Sequence, residues 1–225
     1  MAYDFHTHTF LSDGDLLPME LIRRAIVNGY EAMGITDHAS ASNMARTVEE
    51  LRRDCDLARE RWGFTALPGV ELTHCPPAAI AELAASAKRM GALIVVVHGE
   101  TVVEPVEPGT NRAAVESSDV DVLAHPGFIT VEEAEIAAKR GCYLEITCRR
   151  GHCLTNGHVA RTAREAGAVL LVNTDAHSPS DLLNDSFART VALGAGLSEQ
   201  EVEQTLRRNP VALLERVARS QARWV

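Results

Sequence analysis

Along the chain, short runs of consecutive apolar residues alternate with longer stretches in which apolar positions recur every three or four residues. A continuous apolar run bounded by turn residues suits a strand buried on both faces, and the wider spacing suits an amphipathic helix. Seven runs have the first character: Tyr3–Phe5, Ala32–Ile35, Phe64–Val70, Leu93–Val97, Val120–Ala124, Tyr143–Ile146 and Val169–Val172. Between them lie stretches with helical spacing: Pro18–Asn28, Val48–Trp62, Pro77–Met90, Thr130–Lys139 and Gly157–Ala166. Glycines follow several of these, at Gly29, Gly63, Gly91, Gly141 and Gly167, where a left-handed residue ends a helix. Glu100–Ser118 contains Pro105, Pro108 and Gly109 and reads as a long loop over the strand ends, with room for a short helix. The tail Ser198–Val225 reads as helical, opened by a capping box of Ser198 and Glu201 and broken in two at Asn209-Pro210.

Repeated strand–helix units with apolar strands predict a parallel sheet covered on its outside by helices. Seven of them favour closure into a β/α barrel over an open sheet. Nothing along residues 1–225 resembles a linker, a low-complexity tract or a shift in composition, so a single domain is expected.

Composition changes this picture little. Hydrophobic residues make up 46% and charged residues 24%, while aromatics are scarce at 4%, so the core rests on Ala, Val, Leu and Ile. A formal charge of −9 argues against long nucleic acids and anionic membranes as partners. The start MAYDFHTH lacks a basic region followed by an apolar run, and Ala92–Val97 is far too short for a membrane span, so a cytoplasmic protein is expected. The five cysteines include no CxxC pair and read as reduced thiols.

The polar residues that end the apolar runs alter the picture most. They are His6 and His8, then His38, Glu71, His98, His125, and finally Asp175 and His177. In a β/α barrel all strand C-termini meet on one rim, where active sites are built. Imidazole nitrogen and carboxylate oxygen are the donors that Zn, Mn and Fe sites use. His6-Thr7-His8 puts two imidazoles on the same side of an extended strand, so both can grip one ion. Asp175-Ala176-His177 repeats the device on the last strand, which neighbours the first if the barrel closes.

The order of these pieces resembles the PHP (polymerase and histidinol phosphatase) family. The matching segments are Asp4-Phe5-His6-Thr7-His8, Ser12-Asp13-Gly14, Ile35-Thr36-Asp37-His38, Leu67-Pro68-Gly69-Val70-Glu71, His98, Ala124-His125-Pro126 and Asn173-Thr174-Asp175-Ala176-His177. The resemblance implies a distorted (β/α)7 barrel holding two to three divalent ions (Zn, Mn or Fe). Carried over by position, His6, His8, Glu71 and Asp175 would hold one ion. Glu71 would bridge to a second, held also by His98 and His125, and Asp13, His38 and His177 would hold a third. Glu71, Asp175 and His177 would be the catalytic set. The implied activity is hydrolysis of small phosphate monoesters, histidinol phosphate among the candidates, by a metal-bound hydroxide.

Outside that pattern, Arg149 and Arg150 follow the sixth strand on the same rim and suit a phosphate clamp. Glu100 and Asn111 lie on the long loop, where they either meet the substrate or cap turns. Asp4 and Asp37 sit beside ligands, as orienters of imidazole or as strand-end structure. His74 and His158 read as structural or exposed. Two other functions stay open on sequence alone: a PHP-type nucleotide phosphodiesterase or exonuclease, and a non-catalytic metal-binding module.

Overall fold

A computed structural model describes residues 2–182 and 184–221. Its strands are β1 (Ala2–Asp4), β2 (Tyr30–Ile35), β3 (His38–Ala39), β4 (Thr65–Leu72), β5 (Ile94–His98), β6 (Val122–Ala124), β7 (Tyr143–Thr147) and β8 (Leu170–Asn173). Its α-helices are α1 (Pro18–Val27), α2 (Met44–Trp62), α3 (Ile80–Met90), α4 (Thr110–Glu116), α5 (Val131–Arg140), α6 (Asn156–Ala166), α7 (Asp185–Gly194), α8 (Glu199–Glu203) and α9 (Asn209–Gln221). Seven strands run side by side in the order β1-β2-β4-β5-β6-β7-β8, every pair parallel, and β3 adds a two-residue pairing to β4.

The sheet curls into a nearly closed barrel, the distorted (β/α)7 architecture. β8 and β1 share no ladder of their own. They are joined past their ends by an isolated bridge of Thr7 with Ala176, in which His8 N donates to the Ala176 carbonyl at 2.8 Å and Asp175 N to that of His6 at 2.9 Å. Lower down, the Asn173 side chain substitutes for a ladder partner by accepting from Phe5 N at 2.9 Å. The seam thus falls between the two segments that carry HxH and DxH.

Inside the barrel, Phe5, Leu67, Ile94, Val96, Val122 and Leu171 pack with Leu213 and Val217 of α9. That helix docks at the N-terminal ends of the strands: Asn209 Nδ2 donates to the Leu170 carbonyl, and Arg216 reaches the Gly141 carbonyl and Asp121. Apolar side chains and α9 fill one end, leaving the C-terminal end for polar groups.

The observed elements depart from the sequence reading in several places. β4 runs through Glu71, so this residue lies inside a strand and not just beyond it. α2 begins at Met44 instead of Val48. α7 is a helix that the sequence reading did not include, with an N-cap from Asn184 to Phe187 N at 3.0 Å. The tail does not break at Asn209-Pro210: the chain stays helical from α8 into α9 through a π-turn at Gln204–Arg208. Pro210 has no amide for the four-residue ladder and its ring crowds the carbonyl four residues back; the wider turn ahead of it relieves both. Residues 222–225 of the predicted tail lie outside the described residues.

Candidate metal centre

Each strand end delivers its residue to the rim by a local device. Just past β1, the Thr7 bridge holds the chain extended, and His6 and His8 are both buried, their rings 5.0 Å apart. Asp4 anchors this segment, accepting from Thr174 N, Thr174 Oγ1 and His6 N at 3.1, 2.5 and 3.2 Å. Asp37 accepts from Thr9 N, Thr9 Oγ1 and Ser12 Oγ at 2.7, 2.7 and 2.6 Å, and so shapes the loop that presents Asp13. Both aspartates therefore hold backbone and hydroxyl groups. Burial raises Asp4 to about 7 and also raises Asp37.

His125 and Asp175 adopt left-handed φ values of 27° and 54°, unusual for side chains with a Cβ. Such strain costs on the order of 1–3 kcal/mol per residue and persists where the surroundings over-determine it. Around His125 they do. Gly127, at φ 59°, passes so close to the neighbouring loop that an added Cβ would lie 1.9 Å from the Glu100 carbonyl oxygen. Asn111 stitches the same two loops, donating to the Pro126 carbonyl at 2.8 Å and accepting from Glu100 N at 3.0 Å.

The side chains converge in two groups of the expected composition. His6 Nε2 lies 3.2 Å from Glu71 Oε1, His8 Nε2 lies 3.3 Å from Asp175 Oδ1, and His125 Nε2 lies 3.7 Å from both Glu71 and Asp175. Next to them, Asp13 Oδ1 lies 3.3 Å from His38 Nε2 and 3.2 Å from His177 Nε2. Glu71 spans the groups, because its Oε2 is 2.7 Å from His38 Nδ1. His98 turns outward. Its Nε2 faces Glu104 Oε2 at 3.0 Å, and it groups with His74 and Glu104 while its ring stays 4.5 Å from that of His125.

Several neighbours of the site escaped the sequence reading. Glu145, wholly buried in β7, accepts from His6 Nδ1 at 2.8 Å, from Asn173 Nδ2 at 2.9 Å and from His125 N at 3.2 Å. With Nδ1 as donor, the His6 Nε2 lone pair points into the cluster. Glu104 was passed over in the long loop, and His152 was noted only as part of the segment after the sixth strand. Of the predicted substrate contacts, Arg149 stands at the site: its Nη1 is 3.0 Å from the Asp175 carbonyl and 2.8 Å from His177 Nδ1. Nδ1 is also 3.0 Å from that carbonyl. Arg150 is exposed and makes no hydrogen bond or ion pair among the described residues. Glu100 Oε1 accepts from Gly109 N and Asn111 N, each at 2.9 Å, so that carboxylate caps its own loop.

Burial is the first influence on Glu71, Asp175, His8, His38, His98 and His125, and partners decide the outcome. It pushes Glu71 up, but His6 and His38 outweigh it and hold the carboxyl well below the usual range. Asp175, surrounded by Glu71 and Glu145 as well as His6, is raised by burial to about 7. Burial lowers His8, His98 and His125, keeping them as the neutral imidazoles that bind metal. His38 resists the same burial and rises to about 10 beside Asp13 and Glu71.

The residues fit divalent ions on an observation independent of any resemblance. Buried side-chain atoms without a hydrogen-bond partner are rare in folded proteins. Here they include His6 Nε2, both ring nitrogens of His8, Glu71 Oε1, and Nδ1 of His98, His125 and His152. Apart from Thr101 Oγ1, these are all such atoms among the described residues, and they belong to this cluster.

A parallel barrel with imidazoles and carboxylates massed on its C-terminal rim defines a metal-dependent hydrolase barrel. A model of the PHP domain matches residues 4–125. An uncharacterized protein of Methanocaldococcus jannaschii is 52% identical over 218 residues, covering 96% of this chain and 100% of that protein. A probable phosphatase of Thermoanaerobacter sp. is 27% identical over 223 residues, covering 91% of each chain. The histidinol phosphate phosphatase of Lactococcus lactis, solved with Zn, L-histidinol and phosphate, has the same fold at a TM-score of 0.56 and 15% identity, over 88% of this chain and 94% of that one. The chain belongs to the PHP domain family of metal-dependent phosphoesterases.

Proposed function

We propose that this protein is a phosphatase of small phosphate monoesters that works with two to three divalent ions (Zn, Mn or Fe). The observation that carries the reading is the set of buried, unpartnered donor atoms from His6, His8, Glu71 and His125, beside Asp175 and the Asp13–His38–His177 group. His6, His8, Glu71 and Asp175 would hold one ion. Glu71 and His125 would contribute to a second, and Asp13, His38 and His177 would hold a third. Such ions supply Lewis acidity, which lowers the pKa of a water and offsets phosphate charge.

The chain's own residues do the rest. Glu145 fixes the ring tautomer of His6, so that its Nε2 lone pair faces the centre. Arg149, half-buried beside Asp175 and His177, has the fixed fork to grip phosphate oxygens there. Glu71 would bridge two ions, a role supported by its reach to both groups. A probable phosphatase and a histidinol phosphate phosphatase are among the chain's relatives and structural neighbours, which supports a phosphorylated small molecule as substrate. The formal charge of −9 disfavours a polyanionic one. No helix among the described residues is long and apolar enough to cross a membrane.

The test is hydrolysis by chelator-stripped protein reloaded with Mn or Zn, given an aryl phosphate, a panel of phosphorylated metabolites and an aryl phosphodiester. Monoesters should turn over fastest, and Glu71→Gln should lower kcat/KM about 100-fold or more. Metal-loaded protein that cleaves no monoester, or that prefers the diester, would refute the reading.

A further inference from the structure

Glu104 lies on the loop after β5, outside the nine expected ligands, yet it faces three imidazoles. Its Oε2 is 3.0 Å from His98 Nε2 and 3.2 Å from His74 Nε2, and its Oε1 is 3.4 Å from His152 Nε2. Bonds of about 2.0–2.1 Å to one ion place neighbouring donors about 2.9–3.4 Å apart, whether the geometry is octahedral or tetrahedral. The inner cluster has the same spacing, with 3.2 Å for His6 to Glu71, 3.3 Å for His8 to Asp175 and 3.2 Å for His177 to Asp13. His98 and His152 are only 4% and 6% exposed, and Nδ1 of each is buried without a partner. His74 also has left-handed φ, at 50°. The only other non-glycine residues with positive φ among those described are His125 and Asp175, both expected ligands.

We propose that His74, His98 and Glu104 hold a divalent transition-metal ion of their own, with His152 facing the free oxygen of Glu104. The proposal rests on the reading of the rim as a metal centre. A neutral imidazole has one lone pair, so His98 cannot serve this ion and the Glu71–His125 position together. The ion at His98 is therefore drawn outward, and the inner position keeps Glu71 and His125. Two imidazoles and a carboxylate suit Zn, Mn or Fe, and three protein ligands leave a position open for water or a phosphate oxygen. Because Glu104 belongs to the loop, the ion also ties that loop to the rim.

The experiment counts metal and needs no substrate. Full-length protein is stripped with a chelator, reloaded with Zn or Mn, and its bound metal measured per chain and by calorimetric titration. Glu104→Gln and His74→Ala change exposed or half-exposed side chains, so both should fold as the parent does, which circular dichroism verifies. Each should lose one equivalent, or weaken one class of site about 10-fold or more, while the remaining equivalents keep their affinity. Glu71→Gln should instead remove metal from the inner cluster and leave the outer site filled. Unchanged stoichiometry and affinity in both the Glu104 and His74 variants would overturn the proposal. That result leaves phosphatase activity untouched, whereas metal bound without hydrolysis would count against the function alone.

Discussion

A histidine can serve a metal only if the right nitrogen carries the lone pair, and for His6 that choice is made by Glu145. The carboxylate sits 2.8 Å from Nδ1, is itself held by Asn173 and the His125 amide, and is shielded from water. Glu145→Gln keeps the shape but removes the charge, and its amide can present a donor to Nδ1 and so favour the wrong tautomer. Metal affinity of the inner cluster should fall about 10- to 100-fold, read by competition against a chromophoric chelator. An affinity equal to the parent's would show that Glu145 does not set the tautomer. The candidate ligands at the strand ends were legible from sequence because a polar residue that closes an apolar run is conspicuous. Glu145 was not, since it lies inside β7 between Leu144 and Ile146 and only the fold shows which way it faces. His74, Glu104 and His152 were illegible for a different reason: loop conformation brings together residues tens of positions apart, and no periodicity records it.

At the scale of elements, the strand–helix alternation was readable because burial on both faces of the sheet enforces continuous apolar runs. α7 was missed although its apolar positions recur at helical spacing; only Ala192 in it is buried, with Phe187 at 47% and Leu193 at 40% exposed. The π-turn before Pro210 was missed because proline predicts a break unless the helix has room to widen. The loops after β5 and β6 are locked face to face at Gly127 and Asn111, and His98 and His125 project from their roots. Gly127→Ala would need a left-handed φ of 59° and would push a Cβ to 1.9 Å from the Glu100 oxygen. Because the obstacle is backbone, the loops must separate. We predict a loss of more than about 2 kcal/mol by urea unfolding, together with weaker metal binding at His98. A variant as stable as the parent would show that the two loops are not held by this contact.

For the whole molecule, the arrangement sets stability and function against each other at opposite ends of one barrel. Apolar packing and α9 close the N-terminal end, while the C-terminal end gathers carboxylates and imidazoles in a place screened from water. Burying such groups without partners is costly, so the metal-free chain is stable in spite of its site. Ions that bind only the folded form remove that cost, and the gain grows with their concentration. For a single site at 100 times its dissociation constant the gain is about 2.7 kcal/mol. In a chain of this size about 1 kcal/mol moves Tm by roughly 2–4 °C. Adding Zn or Mn to stripped protein should therefore raise Tm by about 5–11 °C for each site filled to that degree, and chelation should reverse the rise. The shift should shrink in Glu71→Gln, which loses a ligand shared by both inner groups. Scanning calorimetry over a series of metal concentrations decides it: a Tm that ignores metal would mean that the rim is stable as bare protein, and the metal reading of the site would fall.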